Sequence, residues 1–212
     1  MSVLERLSSV AGDPSEASNK AVAREALEQP DMLDEVAVGL EWNDRKLVGD
    51  CAEVFTEVAK ENPALVAPYV DRIAPLISHK DTRVRWESTH ALALVASLVP
   101  EQIAPLLPDL VAKIEKDKSV IVRDCAVLAL GEYGRSGSEA AQEAFQHLLR
   151  ALEMWEGKHA KLVLEAMSKL IEVEPGLEVE VRTAAQGCLD HRRANVRRLA
   201  QKLVRSENEV QK

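Results

Sequence analysis

Leu107-Pro108-Asp109-Leu110-Val111-Ala112-Lys113-Ile114, then Glu115-Lys116-Asp117-Lys118-Ser119, then Val120-Ile121-Val122-Arg123-Asp124-Cys125-Ala126, is the stretch on which the fold turns. Leu107, Leu110 and Ile114 fall at the three- and four-residue steps of one helix face. A short polar run follows, and a second helical pattern opens at Val122. The arrangement recurs along the chain. Leu40, Ile77, Ile114, Leu152 and Leu189 each close such a first segment, at separations of 37, 37, 38 and 37 residues. Four residues upstream stand Val36, Ile73, Leu110, Leu148 and Ala185, and three further back Leu33, Val70, Leu107 and Phe145. Second segments open at Val48, Val84, Val122, His159 and Val196. Four residues into them come Ala52, Ser88, Ala126, Val163 and Ala200, the slender side chains required where two helices cross closely.

The unit is therefore two antiparallel helices, A and B, joined by a polar turn. No unit buries its own apolar face, so the units must stack. Five are expected, at about residues 33–62, 63–100, 101–137, 138–175 and 176–207, within one domain covering residues 1–212. Residues 1–32, with a helix start at Asp13-Pro14-Ser15, read as an amino-terminal cap. The last B helix, carrying Arg192, Arg193, Arg197, Arg198, Lys202 and Arg205, reads as a polar carboxy-terminal cap, and Glu207 to Lys212 as a frayed end.

Composition agrees with helices. Aromatic residues make up only 3% of the chain, and nine glycines and nine prolines are too few for an all-β protein. A net charge of -8 argues against whole-surface attraction to nucleic acid or anionic lipid. Cys51, Cys125 and Cys188 form no CxxC pair and no metal-ligand spacing, so they read as small buried hydrophobes in a reducing compartment. Neither a secretory signal nor an apolar stretch of membrane-spanning length is visible, and a cytoplasmic location is expected.

On Pro105-Leu106-Leu107-Pro108-Asp109-Leu110 and on Asp117 with Val122-Arg123, the chain resembles the HEAT-repeat family, relatives of the armadillo repeats. The resemblance implies an all-α, right-handed superhelical solenoid of about five HEAT-type helix pairs. It also implies a hydrogen-bonded ladder between neighbouring repeats, built from a turn Asp and an Arg six residues later. Asp117 and Arg123 match that spacing; Arg85 and Arg197 hold the Arg position but have His79 and His191 six residues before them. The first repeat has Asn43 and Gly49 there, and the fourth has neither residue of the pair.

Sorted by type, the turns separate by charge. The A-to-B turns carry Arg45 and Lys46, Lys80 and Arg83, Lys116 and Lys118, Lys158 and Lys161, and Arg192 and Arg193. Glu61, Glu101, Glu139, Glu172, Glu174, Glu178 and Glu180 gather at the B-to-A turns. Turns of one type align along one edge of a solenoid, so a basic ridge opposite an acidic one is expected. Trp42 and Trp155 open A-to-B turns. Either they are contact residues beside those cations, or they fold back onto helix A while the cations complement helix dipoles. Trp86 and His90, one turn apart on the second B helix, are secondary contact candidates, since B helices line the inner surface of HEAT-like solenoids.

No nucleophile elbow, phosphate loop, dinucleotide fingerprint or HExxH is present. None of the five histidines is followed by Glu, unlike the di-iron hydroxylases of HEAT-like fold. No catalytic residue, cofactor or metal is expected. The leading expectation is a non-enzymatic scaffold that binds another protein, acidic or extended, along the basic turn edge or the B-helix face, much as tubulin-binding HEAT domains place Trp and basic side chains on intra-repeat turns. The alternative is nucleic-acid binding, in the extreme a HEAT-like alkylated-base DNA glycosylase using the Trp86, Arg85, Asp124 and Arg123 neighbourhood, against which the overall acidity speaks. A subunit stacking into a larger assembly is a third option.

Overall fold

Polar turn residues start the B helices. Asp44 accepts a hydrogen bond from the Lys46 N–H, Asp81 from those of Arg83 and Val84, and Ser119 from that of Val122, each satisfying a donor that the first helical turn leaves open. The computed structural model describes residues 2–205. Regular structure among them is entirely helical, and the chain divides into two units, Met1–Leu106 and Leu107–Lys212. The expected frayed end, Glu207 to Lys212, lies outside the described residues.

The first unit holds α1 (Ala17–Glu28), α2 (Met32–Gly39), α3 (Arg45–Glu61) and α4 (Thr82–Val95), preceded by short turns at Leu4–Arg6 and Ser8–Ala11. Its second A helix is not one helix but four short pieces, Pro63–Leu65, Ala67–Tyr69, Val70–Ile73 and Ala74–Ser78. Pro63, Pro68 and Pro75 each withhold an N–H from the helical ladder. The stripe Val70, Ile73 and Ile77 is buried all the same. Pro105 breaks the start of the third A segment, leaving Pro100–Ile103 and Ala104–Leu106 as separate turns.

Helix α3 is the centre of this unit, with α1, α2 and α4 packed around it. Every residue from Leu47 to Thr56 is buried, so Asp50 and Glu53 need partners inside the protein. Asn19 of α1 donates to both, at 3.0 and 2.8 Å. Arg83 of α4 donates to both, at 2.8 and 2.6 Å. The Ser9 N–H reaches Asp50 at 2.7 Å. This network ties the amino-terminal cap to the first two repeats.

The second unit holds α5 (Leu107–Lys116), α6 (Val120–Gly134), α7 (Ser138–Ala151), α8 (Ala160–Leu170), α9 (Glu178–Gln186) and α10 (Ala194–Arg205). The B helices α6, α8 and α10 pack in series, with the A helices α5, α7 and α9 against them. Across both units the opening residues Val48, Val84, Val122, His159 and Val196, and the small residues four places on, are all buried. The three cysteines are free and buried.

Candidate functional site

In the first unit the turn between α2 and α3 exposes an apolar pair beside cations. Gly39 lets the end of α2 approach α3: a Cβ there would meet the Cys51 sulfur at 2.5 Å. Leu40, the next residue, is buried. Trp42 is 54% exposed, and Val38, four residues earlier near the end of α2, is 49% exposed. Arg45 and Lys46 are exposed next to them. Arg45 comes no nearer than 3.9 Å to Asp81 of the following A-to-B turn, which places the two turns side by side. Lys80, on that second turn, is also exposed.

Not every basic side chain of the turns faces outward. Arg83 is committed to Asp50 and Glu53, with Glu16 3.6 Å away. Arg85 donates to the carbonyls of His79 and Lys80, closing its own turn. Trp86 and His90 are half-buried on α4, and burial, then the nearby Lys60 charge, lowers the His90 pKa.

The second unit repeats the turn logic with different side chains. Arg197 donates to the carbonyls of His191 and Arg192, and Arg123 to that of Asp117. The residue six places before the Arg accepts from a backbone N–H two residues on, whether it is Asp117, His79 or His191. A His Nδ1 thus does the work of the Asp carboxylate within this turn. A link between repeats runs from the Arg123 Nε to the His159 Nε2, 2.9 Å away. Because Nε2 accepts, the ring proton lies on Nδ1 and is donated to Asp124 at 2.6 Å.

Trp155 lies across this assembly. Trp155 and Glu156 adopt left-handed backbone, with φ of 53° and 55°, ahead of Gly157 at 69°. Such conformations cost about 1–3 kcal/mol each for non-glycine residues. The turn swings the indole back so that Nε1 donates to the Ile114 carbonyl at 2.7 Å, capping α5. The Arg123 guanidinium stacks 3.9 Å from the ring centroid, and 42% of the residue remains exposed. Among the turn cations here, Lys118 is exposed and Lys158 is half-buried, its carbonyl accepting from Arg193 at 2.6 Å. Arg192 pairs with Glu156 at 3.0 Å. Sequence reasoning missed the Asn19–Asp50–Glu53–Arg83 network, although two acids inside an otherwise apolar α3 were its signal, and it missed the left-handed turn, for which no residue pattern speaks.

No protein-family model matches the chain, and no curated protein matches it significantly in sequence. Solved structures do. An engineered protein superposes with a TM-score of 0.68 at 18% identity, over 99% of this chain and 98% of its own. A computationally designed armadillo repeat protein made for modular peptide recognition gives 0.66 at 15% identity, over 96% and 98%. The fold is that of an armadillo-like helical repeat protein. A further designed armadillo repeat protein, solved in complex with the peptide (KR)4, gives 0.68 at 16% identity, over 96% and 97%. These likenesses establish the alpha-solenoid class expected from the periodicity. No helix among the described residues of this armadillo-like fold is long and apolar enough to cross a membrane, and no group of His, Cys, Asp and Glu among them could hold a metal ion.

Proposed function

We propose that this protein is a non-enzymatic scaffold that binds an acidic, extended segment of another protein along the A-to-B turn edge. The observation that carries the reading is Trp42, more than half exposed beside Val38 and next to Arg45 and Lys46. Large aromatic side chains beside cations dominate many binding surfaces. Lys80 on the next turn extends the basic stretch, and Lys118 and Lys158 are the further candidates in the second unit. Trp86 and His90 are secondary contacts. The neighbours support binding of a peptide as such, one having been designed for peptide recognition and another solved with the basic peptide (KR)4. Three buried thiols suit a cytoplasmic setting. Nucleic-acid binding and base excision are less well served: Arg123 is buried with its guanidinium bonded, and Asp124 is held by His159.

Binding of a fluorescein-labelled acidic peptide containing one leucine should be measured by anisotropy at two salt concentrations, beside the peptide (KR)4. The acidic peptide should bind, weaken with salt, and lose at least about tenfold on Trp42→Ala or on combined Arg45→Glu and Lys80→Glu, a loss of about 1.4 kcal/mol. Preference for the basic peptide, or binding indifferent to these substitutions, overturns the reading.

A further inference from the structure

Within the second unit a groove of about 620 Å³ runs between α7 and α9, floored by Leu149, Leu152, Ala184 and Cys188. Leu149 is 41% exposed. Val179 is 68% exposed, more than any other large apolar side chain among the described residues. It lies one turn before Thr183 on α9, which itself lines the groove. Arg150 and Glu153 stand on the rim, both exposed, and neither has an ion-pair partner among the described residues. The remaining rim charge, Glu156, is already paired with Arg192. The Glu153 carboxylate acts over the groove floor, where burial and then its charge raise the Cys188 thiol pKa.

We infer that this α7–α9 face is a two-fold self-association surface whose occupant is a second copy of the same chain. One unpaired cation and one unpaired anion, three residues apart on a helix end, form a self-complementary set. A two-fold axis sets Arg150 of one copy against Glu153 of the other, and the reverse, while the apolar stripes cover each other. An acidic peptide finds no complement here, because the rim sets two carboxylates, Glu153 and Glu156, against the single cation Arg150. A small ligand finds little to orient it. The His191 Nε2 is without a partner, but it is turned against Gly157, only 2.4 Å from where a Cβ would stand.

The size of the face sets the expected affinity. Helix α7 has 14 residues, so at ~1.5 Å per residue and two helix diameters of ~10 Å the face covers roughly 20 by 20 Å. Two such faces bury roughly 800 Å² in all, below the ~1,200 Å² of standard specific interfaces, so the dimer is a weak, transient one that forms only toward the upper end of the micromolar range.

Sedimentation velocity of the full chain from about 5 to 500 µM tests this, with helicity by circular dichroism as the control for folding. The wild type should show concentration-dependent dimerisation, and Arg150→Glu and Glu153→Arg should each weaken it at least about tenfold. An equimolar mixture of the two variants should form a heterodimer, because the reversed charges again meet opposite signs, and the double variant should dimerise like the wild type. A wild type that stays monomeric throughout, a dimer indifferent to both substitutions, or a mixture no more associated than its components overturns the inference. None of these outcomes depends on the basic turn edge.

Discussion

Gly157 and Glu87 show how much rests on single positions. Gly157 has a φ of 69°, and its missing Cβ leaves room for the His191 ring. Gly157→Ala adds backbone strain and a clash at once, and should destabilise the protein by about 2–4 kcal/mol, read as a lower urea midpoint with an unchanged slope. Glu87 is 5% exposed, and burial, the largest cause, pushes its pKa up to about 7 from 4.5. Between those values the folded chain holds a proton that the unfolded chain has released. Stability is therefore greatest below the unfolded pKa and falls as pH rises through 7, by about 3 kcal/mol in all at 1.36 kcal/mol per unit. Glu87→Gln should flatten this decline between pH 5 and 8 in urea titrations; an equal decline in the variant would assign it to other groups. Neither residue was legible in the sequence, because burial and backbone sign depend on what packs against them.

At the scale of elements, the apolar stripes and polar turns located the B helices, because a 3.6-residue period is a local property, as are the N-caps Asp44, Asp81 and Ser119. The broken A segments had local causes too, in Pro63, Pro68, Pro75 and Pro105, but their effect is to shorten helices without disturbing the buried stripe. The turn arginines were legible by spacing, whereas their partners were not. Arg123 spreads one guanidinium over the Asp117 carbonyl, the His159 ring and the Trp155 face. A lysine cannot reproduce that planar fork. Arg123→Lys should cost about 2 kcal/mol, with a change in Trp fluorescence as the indole loses its cover; an unperturbed midpoint would mean the three contacts contribute little.

For the molecule as a whole, the cap is the part whose removal tells most. A chain beginning at Pro30 lacks Asn19 and the Ser9 N–H, leaving Asp50 and Glu53 with fewer partners inside α3. Breaking a buried charge network in this way typically costs about 3–5 kcal/mol. The truncated chain should lose helicity at lower temperature than the full chain, and Asn19→Ala alone should reproduce part of the shift. Helix class, the period near 37 residues, the buried stripes and the polar turns are legible along the chain, because they follow from side-chain spacing along one helix. Packing between repeats settles which turn cations are consumed, turns Trp42 outward while Trp155 folds back onto Arg123, and leaves a groove open between α7 and α9. Those outcomes depend on which residues from different repeats meet in space, and spacing along the chain does not encode that.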